Sequence, residues 1–339
     1  MSGLRIGLVG TGRIGGMHAR ALLELSTVDE LLIADAVPGR AAALADSLGP
    51  RAAAVDSVDE LHRRGPHGVV IAAATHAHAG LVHDALDRGV PVFCEKPVAP
   101  DVPGTREVLA HARASSAALQ VGFQRRFDAG YRAAREAVRS GRLGWLHTLR
   151  AVTADAEPPP PEFIPTSGGL FRDCGIHDLD VIRWLTGREI TSVFARGANR
   201  GAPFFAEGGD VDTCAALLEL DDATLATISA TRYNGAGHDV RLEVCGSQGS
   251  LFVGHDERAP LPSAEAGISW PSGRPYRTFA ERFADAYAAE LAAFADLAAG
   301  RRENPCTAED ALEALYAAEA CDRSRREGRP VELAEVRGG

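Results

Sequence analysis

The chain has 339 residues, of which 45% are hydrophobic and 24% are charged, and its formal net charge at pH 7 is −10. This length suggests two domains with ample material for a hydrophobic core, and the composition is ordinary for a globular protein. Because the chain is acidic and has no long basic run, nucleic acid and anionic membranes are not expected to be its main partners.

The first third of the chain alternates strand and helix patterns. An apolar strand at 4–9 runs into a glycine-rich turn, a helix follows to Leu25, and a second strand at 31–34 ends at Asp35. The alternation continues with helices at 39–48, 57–63, 78–88 and 102–116 and strands at 68–72, 91–94 and 118–121. Repeated βα units of this length predict a parallel sheet covered by helices.

The turn Gly10-Thr11-Gly12-Arg13-Ile14-Gly15 matches the GxGxxG pattern of dinucleotide-binding folds. It follows the first strand, opens a helix and is followed by an acidic residue after the second strand, as that pattern requires. Gly10 permits the tight turn, Gly12 lets the backbone approach a pyrophosphate, and Gly15 lets helix and strand pack closely. The helix N-terminus offers free N–H groups to the phosphates.

Asp35 follows the second strand, where a carboxylate can accept hydrogen bonds from both ribose hydroxyls. It would repel a 2′-phosphate, so NAD is favoured over NADP as the cofactor. Arg13 and Arg40 are the only features that point to NADP, and we interpret them as a pyrophosphate-side charge and a helix-surface charge.

Glu95-Lys96-Pro97 follows the predicted strand at 91–94, at the edge where open α/β sheets bind ligands. A lysine there can point at the nicotinamide ring and the bound substrate, and it can hydrogen-bond an alcohol oxygen and stabilise a developing alkoxide. The alternative is a surface lysine in a turn, which the position at a strand end makes less favourable.

The pattern changes after Val121. Helix 127–141 and strand 147–153 are followed by four consecutive prolines at 158–161, which must form a loop and either cover the site or act as a rigid spacer. Further strands are predicted at 191–197, 212–220, 223–231, 238–245 and 250–253, and Asp221-Asp222 forms a short hairpin turn. Two amphipathic helices close the chain, and the last of them could pack back on the first domain.

Asp173 and His177 lie four residues apart, after two glycines and within an apolar helical run. If Asp173 opens a helix, the two side chains fall on one face, one turn apart. A carboxylate beside an imidazole can tune a proton acceptor near neutral pH. The alternative for such a histidine is a half-buried residue of an amphipathic helix.

The chain resembles the glucose–fructose oxidoreductase / inositol dehydrogenase / MocA (Gfo/Idh/MocA) family of NAD(P)-dependent oxidoreductases. The resemblance rests on 10–15, Asp35 and especially Glu95-Lys96-Pro97, and segment 121–131 closely resembles the domain crossover of bacterial myo-inositol 2-dehydrogenases. It covers nearly the whole chain. It implies a Rossmann domain at 1–122 and a substrate-binding and oligomerisation domain at 123–339 with a large, mostly antiparallel sheet and flanking helices.

The resemblance also implies catalysis by Lys96, Asp173 and His177. The expected reaction is oxidation of a secondary hydroxyl of myo- or scyllo-inositol by hydride transfer to NAD, with His177 as general base. Three alternatives stay open: a dehydrogenase of another sugar, a reductase running the reverse reaction, and a catalytically silent NAD-binding sensor. The residues expected to bind the cofactor are Gly10, Gly12, Arg13, Ile14, Gly15, Asp35, Thr75, His78, Glu95 and Lys96.

Substrate contacts are expected from Asp173, His177 and three further residues: Arg125, Asp155 and His238. Arg125 could instead form a structural salt bridge. The family often has an Asn or Asp at the position of Asp155, but Ala156 replaces the proline expected after it. His238 stands where related enzymes often have tyrosine and could donate to a substrate hydroxyl, but its position favours an edge-strand histidine.

Two more residues are given roles. Asp180 is expected to orient His177 or Arg183, and Asp178 to face solvent. No metal site is expected, because no carboxylate or cysteine is spaced to complete the pair His76 and His78.

The partners and location follow from the same features. The resemblance and the half-covered second sheet predict a homo-oligomer, a dimer or tetramer, with a polyol or sugar as the small-molecule substrate. The six cysteines lack CxxC spacing and are interpreted as reduced thiols. No signal-peptide pattern and no uncharged apolar run of membrane-spanning length are present, so a cytoplasmic location is expected.

Overall fold

The computed structural model describes residues 3–338 and divides the chain into two compact units. The first unit comprises the chain up to Phe127 together with Asp285–Leu312. The second unit comprises Asp128–Ala284 together with the chain from Glu313 onward. Each unit has its own sheet.

The first unit begins with eleven alternating elements. They are β1 (Leu4–Val9), α1 (Arg13–Glu24), β2 (Val28–Ala34), α2 (Arg40–Leu48), β3 (Ala52–Ala54), α3 (Val58–Arg63), β4 (Gly68–Ile71), α4 (Thr75–Asp87), β5 (Val92–Glu95), α5 (Val102–Ala114) and β6 (Leu119–Gly122). All five strand pairs are parallel, in the order β3-β2-β1-β4-β5-β6. The predicted doubly wound Rossmann sheet is therefore confirmed, and the sequence pattern missed only the short strand β3.

Burial on both faces explains the sequence of this sheet. All four residues of β4 are buried, which is why the strand reads as a continuous apolar run rather than an alternating one. Helix α1 buries Gly15, His18, Ala19 and Leu22, the i, i+3, i+4, i+7 stripe of an amphipathic helix. His18 is thus a polar residue on a core-facing stripe.

The rest of the chain begins with a 3₁₀ turn, Gln124–Phe127, and contains the second sheet. The further elements are α6 (Ala129–Arg139), β7 (Leu146–Ala154), α7 (Ile176–Thr186), β8 (Ile190–Ala198), α8 (Phe204–Glu207), β9 (Thr213–Leu220), β10 (Leu225–Thr231), β11 (Asp239–Gly246), β12 (Gly249–Val253), α9 (Phe279–Arg282), α10 (Ala284–Ala298), α11 (Ala308–Glu327), β13 (Val331–Glu332) and α12 (Leu333–Arg337).

Helix α10 supplies apolar side chains to the core of the first unit. Leu291, Phe294 and Leu297 belong to the same buried cluster as the side chains of β1 and β2. The rings of Phe294 and Phe93 lie 5.8 Å apart between centroids. This segment of the chain is therefore part of the Rossmann unit although it follows the second sheet in sequence.

The second sheet has seven strands in the order β12-β11-β7-β10-β9-β8-β13. Only β7 and β10 pair in parallel, so the predicted, mostly antiparallel sheet is confirmed. Strands β9 and β10 alternate buried and exposed residues, which places one face on the core and one face in solvent. The predicted turn at 221–222 joins these strands, and Ala223 takes a left-handed backbone conformation with φ of 64°.

Two further features bear on earlier predictions. Residues 155–160 contain no helix or strand, so the proline segment forms the predicted loop, and a 3₁₀ turn follows at Pro161–Thr166. Within residues 3–338, none of the helices combines the length and apolar character needed to cross a membrane.

Candidate functional site

The glycine-rich turn has the backbone that a dinucleotide needs. Gly10 has φ of 97°, and a Cβ there would lie 2.6 Å from the Ala72 carbonyl oxygen. A Cβ on Gly15 would lie 2.0 Å from the Gly10 carbonyl oxygen, so helix α1 approaches β1 as closely as predicted. At Gly12, by contrast, a Cβ would meet no atom within 4 Å. The open space at Gly12, beside an uncapped helix N-terminus, fits a phosphate group.

Asp35 follows β2 and is fixed by the chain's own donors. Its Oδ2 accepts hydrogen bonds from the backbone N and the hydroxyl of Thr11, both at 2.7 Å, and its Oδ1 accepts one from Val37 N at 2.8 Å. Burial acts to raise the pKa of the Asp35 carboxyl, but these hydrogen bonds and the charge of Arg40 outweigh it, and the pKa is lowered. The carboxylate keeps lone pairs for ribose hydroxyls and carries a charge that opposes a 2′-phosphate.

Lys96 directly follows β5, at the carboxyl edge of the parallel sheet, and is half-buried. The preceding residue, Glu95, directs Oε1 to His18 Nε2 at 2.7 Å, and His18 is completely buried. Sequence reasoning did not single out His18. The signal that could have found it is a histidine on the core-facing stripe of the helix that follows the glycine-rich turn.

The segment after β4 carries the other predicted cofactor residues of this edge. Thr75 is the first residue of α4 and is half-exposed. His78 is 2% exposed and contacts two carbonyl oxygens, Nδ1 to Pro97 at 2.8 Å and Nε2 to Ala73 at 3.0 Å. Because carbonyl oxygens occupy both ring nitrogens, His78 is not arranged as a metal ligand. Within residues 3–338, no group of three or more His, Cys, Asp or Glu side chains could hold a metal ion.

Arg125 lies in the 3₁₀ turn that follows the last strand of the Rossmann sheet. Its side chain is 2% exposed, which sets it apart from an ordinary surface arginine.

In the second unit, the helix that carries Asp173 and His177 begins earlier than predicted. Gly168 and Gly169 have φ of 79° and 94°, and Leu170 N then donates to Asp210 Oδ1 at 3.0 Å. A π turn at Phe171–Gly175 follows and continues directly into α7. Asp173 therefore does not open the helix, because the helical segment already begins at Leu170, directly after the two left-handed glycines. Asp173 lies inside the π turn and His177 in the first turn of α7, and both are half-buried.

Arg232 organises the polar residues of the second unit. It lies one residue beyond β10, and its side chain is 3% exposed. Its Nη1 donates to Asp155 Oδ2 at 3.1 Å and to Cys174 Sγ at 2.9 Å, and its Nη2 donates to Asp173 Oδ2 at 2.7 Å. One guanidinium thus brings two of the predicted substrate residues together, Asp155 and Asp173.

His238 completes this cluster. It is 5% exposed, and its Nδ1 lies 3.4 Å from Asp155 Oδ1, while its Nε2 has no hydrogen-bond partner among residues 3–338. Burial acts to raise the pKa of the Asp155 carboxyl, but the hydrogen bond from His238 and the charge of Arg232 outweigh it, and the pKa is lowered. The interpretation of His238 as an edge-strand histidine is wrong, because the strand that it precedes, β11, lies between β7 and β12.

Asp178 also differs from its prediction. It was expected to face solvent, but it is completely buried and accepts a hydrogen bond from Thr153 Oγ1 at 2.7 Å. The partner on β7 allows a carboxylate to occupy the inner face of α7. Asp180 is buried as well. Burial acts to lower the pKa of the Arg183 guanidinium, but the hydrogen bond and charge of Glu189 and the charge of Asp180 outweigh it, and the pKa is raised.

Sequence reasoning missed Arg232, although the sequence contains a signal for it. In β10, Ala226, Ile228 and Ala230 are the buried residues of a strictly alternating strand, and Arg232 continues the same parity. A charged residue in a core-facing register is costly unless it is paired. Such a position therefore predicts a buried ion pair at the end of the strand.

Two family models match the chain and together cover most of it. The model described as "Oxidoreductase family, NAD-binding Rossmann fold" matches residues 4–123, and that of the GFO/IDH/MocA C-terminal domain matches residues 131–252. Among curated proteins, the chain is 41% identical over 327 residues to a myo-inositol dehydrogenase, Hyg17, of Streptomyces leeuwenhoekii, covering 96% of this chain and 98% of that protein.

Solved structures agree with these matches. A probable dehydrogenase from Thermotoga maritima superposes with a TM-score of 0.91 at 32% identity, covering 98% of this chain and 100% of that one. A scyllo-inositol dehydrogenase from Lactobacillus casei, solved with bound NAD(H) and scyllo-inositol, superposes with a TM-score of 0.87 at 30% identity, covering 98% and 99%.

Proposed function

Because the chain belongs to the GFO/IDH/MocA family of NAD-binding oxidoreductases, we propose that it oxidises a secondary hydroxyl of a cyclic polyol, myo- or scyllo-inositol, to the corresponding inosose. The relatives named above as inositol dehydrogenases support this substrate class. NAD is the cofactor, and when bound it accepts the hydride from the substrate carbon.

The observation that supports a polyol as the substrate is the pair of carboxylates, Asp155 and Asp173, held by Arg232. Asp155 and Asp173 each give one oxygen to the guanidinium, and an ionised carboxylate is a hydrogen-bond acceptor only. Ring polyols present neighbouring hydroxyls, each of which can donate a hydrogen bond to a fixed acceptor. A site built to accept hydrogen bonds from hydroxyls rejects analogues that lack them, because its polar groups would be left unpaired.

We propose the catalytic roles as follows. His177 accepts the proton of the reacting hydroxyl, a step for which the ordinary pKa of histidine is suited. Asp173, held by Arg232, accepts a hydrogen bond from a substrate hydroxyl and stabilises the protonated imidazole. Lys96 donates a hydrogen bond to the reacting oxygen. General base catalysis typically contributes about 10²–10⁴-fold, so His177→Ala should reduce turnover by that factor.

The composition supports a special role for Lys96. The chain contains 36 basic residues, and Lys96 is the only lysine among them; the other 35 are arginines. A guanidinium stays protonated in proteins, whereas an amine can release and take up a proton. The single lysine therefore stands at a strand end where that chemistry is useful, while arginine serves every other cationic position.

The test is NADH formation with myo-, scyllo- and chiro-inositol and with common aldoses, using Lys96→Ala as the control. We expect NADH with an inositol and a loss of turnover of at least 10²-fold in the variant. Turnover with an aldose alone would favour a dehydrogenase of another sugar. Binding of NAD without NADH formation from any polyol would favour a silent sensor and overturn the proposal.

We also propose a homo-oligomer, a dimer or tetramer, in the cytoplasm. The solvent face of the second sheet exposes Leu217, Leu225 and Phe252, by 46%, 44% and 61% of their surface, and exposed apolar patches of this kind favour association. All six cysteines are free, which suits a reducing compartment.

A further inference from the structure

Each residue that flanks Lys96 in sequence contacts a buried histidine, Glu95 through its side chain and Pro97 through its carbonyl oxygen. On the N-terminal side, the Glu95 carboxylate accepts a hydrogen bond from His18 Nε2 at 2.7 Å. His18 itself is held edge-on against Phe93, with ring centroids 5.5 Å apart, and its ring lies 5.8 Å from that of Tyr287. The Glu95 side chain is also confined from behind, since a Cβ on Gly122 would lie 3.1 Å from its Oε2.

On the C-terminal side, His78 joins two segments of the sheet edge. Its Nδ1 contacts the carbonyl oxygen of Pro97, the residue after Lys96, and its Nε2 contacts that of Ala73, in the segment between β4 and α4. Carbonyl oxygens only accept hydrogen bonds, so a ring nitrogen that carries a proton donates to the carbonyl oxygen that it faces. His78 therefore lies between the segment after β4 and the residue after Lys96 and contacts both.

We propose that His18 and His78 are positioning residues that fix Lys96, one on each flank. The inference rests on the proposed function, because their task is to hold the amine where the reacting oxygen is bound. Neither histidine needs to touch substrate or cofactor for this. A shift of about 1 Å in a catalytic group can lower the rate by about 10²-fold. Movement of the residues beside Lys96 would therefore lower turnover although Lys96 itself is unchanged.

The single lysine gives a readout that does not depend on activity. Protein produced with lysine labelled with ¹³C at Cε gives one side-chain resonance, which belongs to Lys96. We expect this resonance to shift and its pH titration to change in His78→Ala and in His18→Ala. We expect His78→Gln, which restores one donor, to lie between His78→Ala and the wild type.

His76→Ala is the matched control. His76 lies on the same helix, two residues before His78, and is exposed. We expect the Lys96 resonance and the turnover of the His76→Ala variant to equal those of the wild type. Unfolding midpoints of all variants establish that each is folded, and His78→Gln serves the comparison where His78→Ala does not fold.

Measurement of turnover is the second test of the inference. We expect His78→Ala to lower kcat, measured at saturating NAD, by about 10–10²-fold. In a Lys96→Ala background the same substitution should lower kcat by less than about 2-fold, since residues that act through one group are not additive. Equal losses in both backgrounds, or a Lys96 resonance unchanged by both histidine substitutions, would overturn the inference. Absence of NADH formation in the wild type would instead overturn the proposed function and leave the resonance experiment intact.

Discussion

Arg232 shows how one buried side chain can hold two carboxylates in place. Its planar guanidinium has donors in a fixed fork, and it uses two of its nitrogens to reach Asp155, Asp173 and Cys174. A lysine at the same position carries one compact charge and cannot hold both carboxylates in place.

Substitution of Arg232 by lysine tests this role. We expect Arg232→Lys to fold and to bind NAD with unchanged affinity, because the residues proposed to bind the cofactor lie in the first unit. The loss of one of the two carboxylate contacts of Arg232 should lower kcat/KM for the polyol by about 10²-fold or more. Steady-state kinetics and NAD titration measure both quantities, and kcat/KM within threefold of the wild type would contradict the role.

Asp155 links the same cluster to acid stability. Its pKa is lowered in the folded protein, so its ion pair adds stability at pH values above the pKa of the unfolded chain, about 3.9, and this stability is lost as the pH falls through the folded pKa. The wild type should therefore exceed Asp155→Asn in unfolding free energy at pH 6, and the difference should shrink towards pH 3. Denaturant titrations at several pH values measure it; a difference independent of pH would refute the assignment.

At the scale of elements, the sequence predicted regular structure well and irregular turns poorly. The parallel strands could be predicted because they are short apolar runs between helices, and β9 and β10 because their residues alternate. The π turn around Asp173 could not, because it depends on the hydrogen bond from Leu170 to Asp210, which lies far away in sequence. Burial of Asp178 depends in the same way on Thr153 of another element.

The candidate site residues also fall into those that could be predicted from local sequence and those that could not. The glycine-rich turn, Asp35 and Lys96 could be found because local sequence order places them at strand ends. The contacts of His18 with Glu95 and of Arg232 with two carboxylates join residues 77, 77 and 59 positions apart, and no local pattern encodes them. The local sequence indicates these residues only by placing a polar side chain, His18 or Arg232, at a position that faces the core.

The turn between β9 and β10 offers a test of backbone strain. Ala223 has φ of 64°, a left-handed conformation that costs about 1–2 kcal/mol for a residue with a Cβ. Glycine removes this cost but adds entropy to the unfolded chain, so Ala223→Gly should be more stable by about 0.5–1 kcal/mol. Ala215→Gly, on the exposed face of β9, is the control and should be less stable. Thermal unfolding of both variants checks the opposite signs.

At the scale of the whole molecule, the open face of the second sheet is the main feature not explained by the fold. One cross-strand row on this face runs from Phe194 through Leu217, Thr227, Arg150 and Glu243 to Phe252. It has apolar residues at both ends and an ion pair between Arg150 and Glu243, 2.7 Å apart, in the middle. A surface of this composition resembles an interface with polar contacts inside it.

A charge in this row should weaken the proposed assembly. We expect Leu217→Asp to reduce the molar mass in solution, because burial of an unpaired carboxylate against a second copy is costly. Leu261→Asp, at a similarly exposed leucine outside the strands, should leave the mass unchanged. Light scattering after size-exclusion chromatography distinguishes the two, and a monomeric wild type would contradict the oligomer itself.

The parallel pairing of β7 with β10 has a consequence for how the protein folds. Ala154 pairs with Thr231, so the next residues, Asp155 and Arg232, arrive side by side only after a loop of more than seventy residues has closed. Contacts between residues so distant in sequence form slowly, because the chain entropy is lost before the contact is gained. We therefore expect the carboxylate cluster to be among the last parts of the second unit to mature. Pulsed hydrogen exchange would show this as late protection of the Asp155 amide, which donates to the carbonyl oxygen of Thr231.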